Sequence, residues 1–363
     1  MTLPVAINGK FLSAKTSGII RVANTILREM NSRLQSEPEL RRQYDFELLA
    51  PPGIKGPTDL EYIPLRHVGR LSGQPWEQLE FPYYAAGRVA LNFTPTGPVF
   101  KRDCVSVVHD AQMFRVPESF PWKQRLLHQV LTPLNGHLHR RIVTVSNFSR
   151  SDIERYRITG KGKAQVIHNA AEHVLGLETD PSLLDELGLT GRKYILANAY
   201  AQPHKNVGLL FKAMALLDRP GVELVLFGGV ERALFEQRGI DVGRAIFAGR
   251  VSDGGLRALF EHATVFAFPS TTEGFGLPPL EAMSLGCPTI VSDAGAMPEV
   301  CRDGATYADP NDPAMWARKF AMLLDNPELQ QRLRQRGPEV AAEYSWKRAA
   351  QSYFDVLDTM RAA

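Results

Sequence analysis

Residues 264–283 read TVFAFPSTTEGFGLPPLEAM, a short apolar run followed by a glycine-containing loop and a helical pattern. The run 264–269 predicts a buried strand, and residues 279–285 predict a short helix. A buried strand that leads through a loop into a helix is typical of the βαβ units that build parallel sheets. Gly274 and Gly276 leave the loop backbone free to adopt unusual angles and let a ligand approach closely. Because parallel sheets bind ligands beyond the carboxyl ends of their strands, this loop is a candidate ligand site.

The rest of the second half repeats this alternation of strands and helices. Further strands are predicted at 194–198, 223–227, 245–249 and 288–292, and helices at 207–217 and 253–262. In the first half, strands are predicted at 5–8, 105–109 and 142–146, and helices at 19–30 and 344–360. A strand that runs into a polar turn at 166–171 predicts a hinge. We therefore expect an α/β protein with one Rossmann-like domain over 1–170 and a second over 171–344.

The composition excludes several other classes of protein. With 42 basic and 39 acidic residues, the net charge of +3 is too small to indicate a nucleic-acid partner. The three cysteines are too few, and odd in number, for a disulfide framework, which favours a reducing compartment. No signal peptide is evident, and no apolar run reaches the roughly 18–20 residues that span a bilayer. We expect a cytoplasmic protein, acting from the inner face of the plasma membrane if its substrate is a membrane lipid.

Two carboxylates and a predicted helix start indicate which kind of ligand the loop 270–278 binds. Glu273 precedes the glycines, and Glu281 falls in the first turn of the predicted helix. Pro278 and Pro279 fit a helix start, where free N–H groups and a partial positive charge attract phosphate. Carboxylates also accept hydrogen bonds from vicinal sugar hydroxyls. The combination predicts a nucleotide-sugar site; the alternative is an ordinary strand–loop–helix turn with two solvated glutamates.

Glu273 and Glu281, with seven residues between them inside EGFGLPPLEAM, resemble the paired-glutamate motif of the retaining family 4 glycosyltransferases. The resemblance implies the GT-B fold, in which two Rossmann-like domains with parallel sheets face each other across a cleft. It also implies that helix 345–363 crosses back to the first domain, which binds the acceptor, while the second binds the donor. By the same resemblance, Glu281 binds the donor ribose and Glu273 contacts the transferred sugar. The resemblance also implies that the backbone amides of the first four of these seven residues hold the sugar and diphosphate: Gly274, Phe275, Gly276 and Leu277.

Four other positions are candidates for the same site. Lys205, in a segment similar to the Pro-Arg-Lys-Asn element of the family, is implied to bind the donor phosphates, although His204 replaces the usual arginine. His109 resembles the histidine that approaches the donor sugar, and Gly18 lies in a loop similar to the N-terminal glycine loop near the diphosphate. Arg250, directly after a predicted strand, is a candidate second cation. For each of these four residues the alternative is a purely structural role or an ordinary solvent-exposed position.

The resemblance implies a hexosyltransferase similar to bacterial polysaccharide mannosyl- and rhamnosyltransferases. We expect it to retain anomeric configuration and to need no metal or other cofactor. GDP-mannose is the first expectation for the donor, with a UDP- or dTDP-sugar as the alternative. The expected acceptor is a saccharide or a polyprenyl-linked saccharide in polysaccharide biosynthesis. Two other functions stay open: a nucleotide-sugar epimerase of the same fold, and a binding protein without transferase activity.

Basic and aromatic residues recur at 120–127 and 137–141. They could contact an anionic lipid carrier or a membrane surface, which would make the protein a peripheral membrane protein. The alternative is an ordinary charged helix face. A dehydrogenase is disfavoured because no GxGxxG sequence follows a predicted strand.

Overall fold

The computed structural model describes residues 1–13 and 18–361, and the chain divides into two compact units. Unit 1 comprises Met1–Asn169 and Trp346–Ala363, and unit 2 comprises Ala170–Ser345. Residues 14–17, which belong to the predicted N-terminal glycine loop, lie outside the described residues, as do residues 362–363.

Unit 1 is built on a parallel sheet. In the described residues its strands are β1 Leu3–Asn8, β2 Tyr44–Ala50, β3 Leu65–His67, β4 Val89–Asn92, β5 Cys104–Val107, β6 Arg141–Thr144 and β7 Ala164–Val166. They lie in the order β3-β2-β1-β4-β5-β6-β7, and each neighbouring pair is parallel. The order reverses between β1 and β4, and in open parallel sheets such a reversal opens a crevice that binds ligands.

Helices connect the strands of unit 1. They are α1 Gly18–Ser36, α2 Pro38–Gln43, α3 Gly73–Pro75, α4 Phe81–Tyr84, α5 Gln112–Arg115, α6 Trp122–Leu138 and α7 Asn147–Arg155. A π-helix at Trp76–Glu80 lies between α3 and α4, and 3-10 turns occupy Gly9–Ser13 and Pro117–Ser119.

Unit 2 repeats the same topology. Its strands in the described residues are β8 Lys193–Asn198, β9 Val222–Phe227, β10 Ile246–Gly249, β11 Val265–Phe268, β12 Thr289–Ser292 and β13 Thr306–Ala308. Their order is β10-β9-β8-β11-β12-β13, again parallel throughout. The order reverses between β8 and β11, so the crevice of this sheet is expected between their carboxyl ends.

Helices connect the strands of unit 2, and three of those in the described residues have a side-chain N-cap. The helices are α8 Ser182–Glu186, α9 Val207–Leu217, α10 Arg232–Glu236, α11 Asp253–His262, α12 Leu277–Ser284, α13 Met297–Cys301, α14 Pro313–Asp325 and α15 Pro327–Ala341. Short 3-10 turns lie at Glu172–Gly176, Pro203–Lys205 and Arg302–Gly304. Ser252, Asp312 and Asn326 accept hydrogen bonds from the first-turn amides of α11, α14 and α15, which stabilises those helix starts. Trp316 and Phe320 of α14 lie in the same buried cluster as Leu210 of α9.

The C-terminal helix, α16 Trp346–Asp358, belongs to unit 1. The Tyr44 hydroxyl of β2 donates to Oδ1 of Asp358 at 2.6 Å. The ring of Phe354 lies 5.2 Å from that of Tyr44, centroid to centroid. The apolar face of this amphipathic helix is therefore buried in the unit formed by the N-terminal residues.

Three predicted positions are wrong by a few residues. The helix predicted at 279–285 begins at Leu277, because prolines at its second and third positions need no N–H partner in the first turn. Glu281 consequently lies in the second turn and not in the first. The strand predicted at 105–109 ends at Val107, so His109 belongs to the loop after β5.

Candidate active site

The loops that follow β8 and β11 lie at the point where the strand order of the unit 2 sheet reverses. The backbone N–H of Thr271, after β11, donates to the carbonyl of His204, after β8, at 2.8 Å. The two loops are therefore hydrogen-bonded to each other. The imidazole of His204 is buried, so the residue that replaces the usual arginine fills an interior position.

Lys205 and Glu273 form an ion pair across these two loops. Nζ of Lys205 lies 2.7 Å from Oε1 of Glu273, and the two side chains are only 21% and 10% exposed. The ammonium also lies 5.7 Å from the centroid of the Phe268 ring. A buried charge is stable only when paired, so each residue holds the other in its orientation. The structure thus brings together the predicted phosphate-binding cation and the predicted sugar-binding carboxylate.

Gly295, in the loop after β12, fixes the backbone of Glu273. Its φ of +64° is a left-handed conformation, and a Cβ atom there would lie 2.6 Å from the backbone nitrogen of Glu273. The N–H of Ala296 donates to the carbonyl of Glu273 at 3.1 Å. Sequence reasoning missed Gly295, although a glycine just after the strand predicted at 288–292 is a recognisable signal of a close approach.

The predicted phosphate-binding loop leads into α12. Gly276 precedes the helix with a φ of 95°, which favours glycine. Since Pro278 and Pro279 have no N–H, any backbone amide that meets a ligand at this helix start belongs to the loop or to Leu277. The Phe275 side chain is buried, with its ring edge-on to that of Tyr344 at 5.7 Å. Phe275 can therefore serve a ligand through its backbone while its side chain anchors the loop.

Glu281, the second glutamate of the pair, contacts a residue that the sequence analysis did not select. Its Oε1 lies 3.2 Å from Nε2 of His173, which lies in the 3-10 turn Glu172–Gly176. Both side chains are largely buried, with the carboxyl less than a tenth exposed. The two glutamates of the motif thus have different partners, Lys205 for Glu273 and His173 for Glu281.

Arg250 lies on the same edge of the sheet but makes no buried ion pair in the described residues. It follows the last residue of β10 and is exposed, and its guanidinium lies against Gly229. The N–H of Gly228 donates to the carbonyl of Gly249 at 2.7 Å, which holds the loops after β9 and β10 together. Arg250 is therefore a surface cation, and its role as a phosphate ligand stays a prediction.

His109 lies in unit 1, in the loop between β5 and α5. It is buried, and its Nε2 donates to the carbonyl of Phe93 at 3.1 Å. Burial lowers the pKa of His109 to about 4, while the bond to Phe93 opposes that shift. The imidazole is therefore neutral at pH 7, with the Nδ1 lone pair available. It lines a cavity of about 220 Å³ together with Asp110 and His128.

A second buried ion pair, at the carboxyl end of β1 in unit 1, was missed by sequence reasoning. Glu77, in the π-helix, is fully buried and pairs with Lys10. Nδ2 of Asn8 donates to Oε1 of Glu77 at 2.7 Å and to Oδ1 of Asn92 at 2.9 Å. Gly18 opens α1 and is exposed. The preceding residues 14–17 lie outside the described part, so its diphosphate role stays a prediction.

Over residues 1–13 and 18–361, no group of three or more His, Cys, Asp or Glu side chains is arranged to hold a metal ion. Over the same residues, each helix is too short or too polar to cross a bilayer. All three cysteines are free and buried.

Residues 182–340 match the family described as glycosyl transferases group 1. O-antigen chain mannosyltransferase B of Escherichia coli is 31% identical over 260 residues, which cover 67% of this chain and 67% of that protein. GDP-mannose:cellobiosyl-diphosphopolyprenol alpha-mannosyltransferase of Komagataeibacter xylinus is 30% identical over 237 residues, 62% of this chain and 58% of that protein.

Among solved structures, Anabaena HepE in complex with UDP-glucose superposes with a TM-score of 0.74. The superposition covers 98% of this chain and 100% of HepE at 17% sequence identity, so the likeness concerns the fold. Together with the two parallel α/β sheets, it confirms the predicted GT-B fold. The sequence relatives confirm the predicted enzyme class, a hexosyltransferase. The chain belongs to the group 1 family of glycosyltransferases.

Proposed function

We propose that this glycosyltransferase transfers mannose from GDP-mannose to a lipid-linked saccharide during polysaccharide assembly, with retention of anomeric configuration. The Escherichia coli relative is named for O-antigen chains. The Komagataeibacter relative is named for GDP-mannose as donor and for a diphosphopolyprenol-linked acceptor. An acceptor of that kind would place the reaction at the inner face of the plasma membrane.

The ion pair of Lys205 and Glu273 is the observation that carries this proposal. It lies where the strand order of the unit 2 sheet reverses, the position where parallel sheets bind nucleotides. We assign Lys205 and the amides of residues 274–277 to the donor diphosphate, because a compact cation and the N–H groups at a helix start both suit phosphate. Arg250 and Gly18 are assigned to the same diphosphate, with the resemblance as their support.

The carboxylates complete the donor site in this proposal. Glu273 accepts hydrogen bonds from hydroxyls of the transferred sugar, and Glu281 accepts them from the ribose. As the bond to the anomeric carbon breaks, negative charge grows on the departing phosphate. Lys205 and the loop amides are already oriented and stabilise that charge without reorganising.

Retention follows in this scheme if the acceptor hydroxyl attacks from the face that the phosphate leaves. The departing phosphate takes the hydroxyl proton, so neither glutamate needs to act as a nucleophile. His109, neutral at pH 7, is assigned to the sugar as a hydrogen-bonding group and not as a cation. In this proposal, protein groups alone stabilise the negative charge on the departing phosphate. The proposed reaction therefore needs no metal ion.

Thermal unfolding with GDP, UDP, dTDP and ADP, with and without a chelator, tests the donor assignment. A ligand at about 100 times its Kd stabilises the fold by about 2.7 kcal/mol, which raises Tm by a few degrees at this size. We expect a chelator-resistant shift with GDP that is lost in Glu281→Ala. A shift with UDP alone would reject GDP-mannose, and no shift with any nucleotide at millimolar concentration would reject the donor site.

Product analysis tests the reaction itself. Incubation with GDP-mannose and a polyprenyl-diphosphate saccharide should give an α-linked mannoside, because the donor is α-configured and retention preserves that configuration. A β-linked product would overturn retention. Conversion of the nucleotide sugar without an acceptor would identify an epimerase instead.

A further inference from the structure

Helix α6 of unit 1 exposes a row of large apolar side chains. Six of them are between 37% and 63% exposed: Trp122, Leu126, Leu127, Val130, Leu134 and Leu138. Five recur at intervals of four residues, a spacing that puts them along one side of a helix. Exposed apolar side chains are ordinary when scattered, but a contiguous row marks an interaction surface.

The opposite face of α6 packs closely against the rest of unit 1. The exposed row is therefore not the face through which the helix joins the core. Asn135 is fully buried, and its Nδ2 donates to the carbonyl of Gly97 at 3.0 Å. At Gly136 a Cβ atom would lie 1.8 Å from the carbonyl oxygen of Ile158, so the helix approaches that backbone closely. The packing of this opposite face orients the apolar row of α6 toward solvent.

The charges of α6 are all of one sign. Over Trp122–Leu138 the helix carries Lys123 and Arg125 and contains no aspartate or glutamate. An amphipathic helix with cations and tryptophan beside a wide apolar face is typical of helices that lie in a membrane interface.

More cations surround the C-terminal end of the row. Nζ of Lys163 donates to the carbonyl of His137 at 2.8 Å, and the imidazole of His137 bonds to the carbonyl of Arg157 at 3.0 Å. The N–H of Arg140 donates to the carbonyl of Arg102 at 3.0 Å. Asp103 offsets part of this charge, 3.8 Å from Arg140. Clusters of basic residues beside a membrane surface attract anionic lipid headgroups.

We propose that this face of α6 docks the enzyme on an anionic phospholipid surface, with the helix axis in the plane of the interface. The apolar row enters the boundary between headgroups and acyl chains, and the flanking cations contact phosphates. A second copy of the chain fits less well, because a symmetric contact through one helix would bring its own cations together.

Docking in this orientation would bring the cavity of His109 to the membrane. Gln124 and His128, one turn apart on α6, line that cavity with His109 and Asp110. A saccharide carried on a membrane lipid could then reach the cavity without leaving the surface. This consequence rests on the proposed lipid-linked acceptor, whereas the docking itself does not.

Cosedimentation with vesicles tests the docking. The wild type should bind vesicles of phosphatidylcholine with 30% phosphatidylglycerol more tightly than vesicles of phosphatidylcholine alone, and high salt should weaken the binding. The double variant Leu126→Glu/Val130→Glu should bind the anionic vesicles at least about tenfold more weakly, because two charges must enter the interface. Leu216→Glu, at a similarly exposed leucine of α9 in unit 2, is the matched control and should bind as the wild type does.

Tryptophan fluorescence gives an independent readout. Of the four tryptophans, Trp76, Trp316 and Trp346 are buried, so a blue shift on adding vesicles reports Trp122. The shift should vanish in Trp122→Phe. The proposal is overturned if anionic vesicles neither bind nor shift the wild type, or if the double variant binds them unchanged. It is also overturned if light scattering finds a dimer that the double variant loses while vesicles stay unbound.

The donor site provides the control for folding. The double variant should keep the wild-type thermal shift with GDP, since unit 2 is unchanged. If vesicles bind as expected but no nucleotide shifts the wild type, the proposed function fails and the docking stands.

Discussion

Nε2 of His173 lies 3.2 Å from Oε1 of Glu281. The histidine belongs to the turn that opens unit 2, and the carboxylate lies in the second turn of α12. The ring nitrogen therefore fixes the orientation of the carboxylate to which we assign the donor ribose. His173 is a positioning residue in this arrangement, because it acts on the donor through Glu281.

His173→Ala should raise the KM for the donor about tenfold, since a hydrogen bond to a charged group contributes about 1.5–3 kcal/mol. The kcat should change much less, because the ribose is remote from the reacting bond. His173→Gln, whose amide can donate to the same oxygen, should restore part of the affinity.

Steady-state kinetics with varied donor measures this split. His262→Ala, at an exposed histidine of α11, should leave both constants unchanged. A fall in kcat at constant KM would contradict a ribose-positioning role for His173.

Lys205→Met should lower kcat by about 10²–10³, because it removes one preorganised charge from the departing phosphate. It should also destabilise the protein by about 3 kcal/mol, since Glu273 stays buried without its partner. Adding Glu273→Gln should recover part of that stability but none of the activity. Urea unfolding and turnover assays on the single and double variants measure both effects, and additive losses of stability would mean that the pair is not coupled.

The strands of unit 2 were predictable because buried parallel strands form continuous apolar runs, as in β8, β9 and β11. β3, at the edge of the unit 1 sheet, has the sequence LRH and is largely exposed, so it has no such run. The helix start at Leu277 was misplaced because prolines are compatible with several positions of a first turn.

The motif residues of the candidate site could be selected from the sequence because a strand, a loop and a helix keep them close along the chain. The residues that pair with them could not be selected from the sequence. His173 precedes Glu281 by more than a hundred residues, and the fold alone brings the two together. Glu77 and Lys10 are likewise distant along the chain. Their pairing depends on a π-helix that no local sequence pattern predicts.

Gly295→Ala should reduce both stability and donor affinity, because a Cβ atom there would lie 2.6 Å from the backbone nitrogen of Glu273. Gly239→Ala is the matched control: its φ of +68° is similar, but a Cβ atom there would have nothing within 4 Å. The control should lose only the about 1–2 kcal/mol that a left-handed conformation requires. Thermal unfolding with and without GDP separates the two effects, and equal behaviour of both variants would show that the close approach to Glu273 has no consequence.

Two buried histidines of unit 1 should make the stability of the protein depend on pH. Burial lowers the pKa of His109 and that of His139 to about 4, from an ordinary value near 6.5. Between pH 6.5 and 4 the unfolded chain binds more protons than the folded chain, so stability falls as the pH is lowered through this window. From pH 6.5 to 5 each histidine should contribute a loss of about 1.6 kcal/mol. Urea unfolding followed at several pH values should show a shallower dependence for His139→Gln than for the wild type, by the equivalent of one proton. An unchanged slope would mean that His139 accepts its proton in the folded protein.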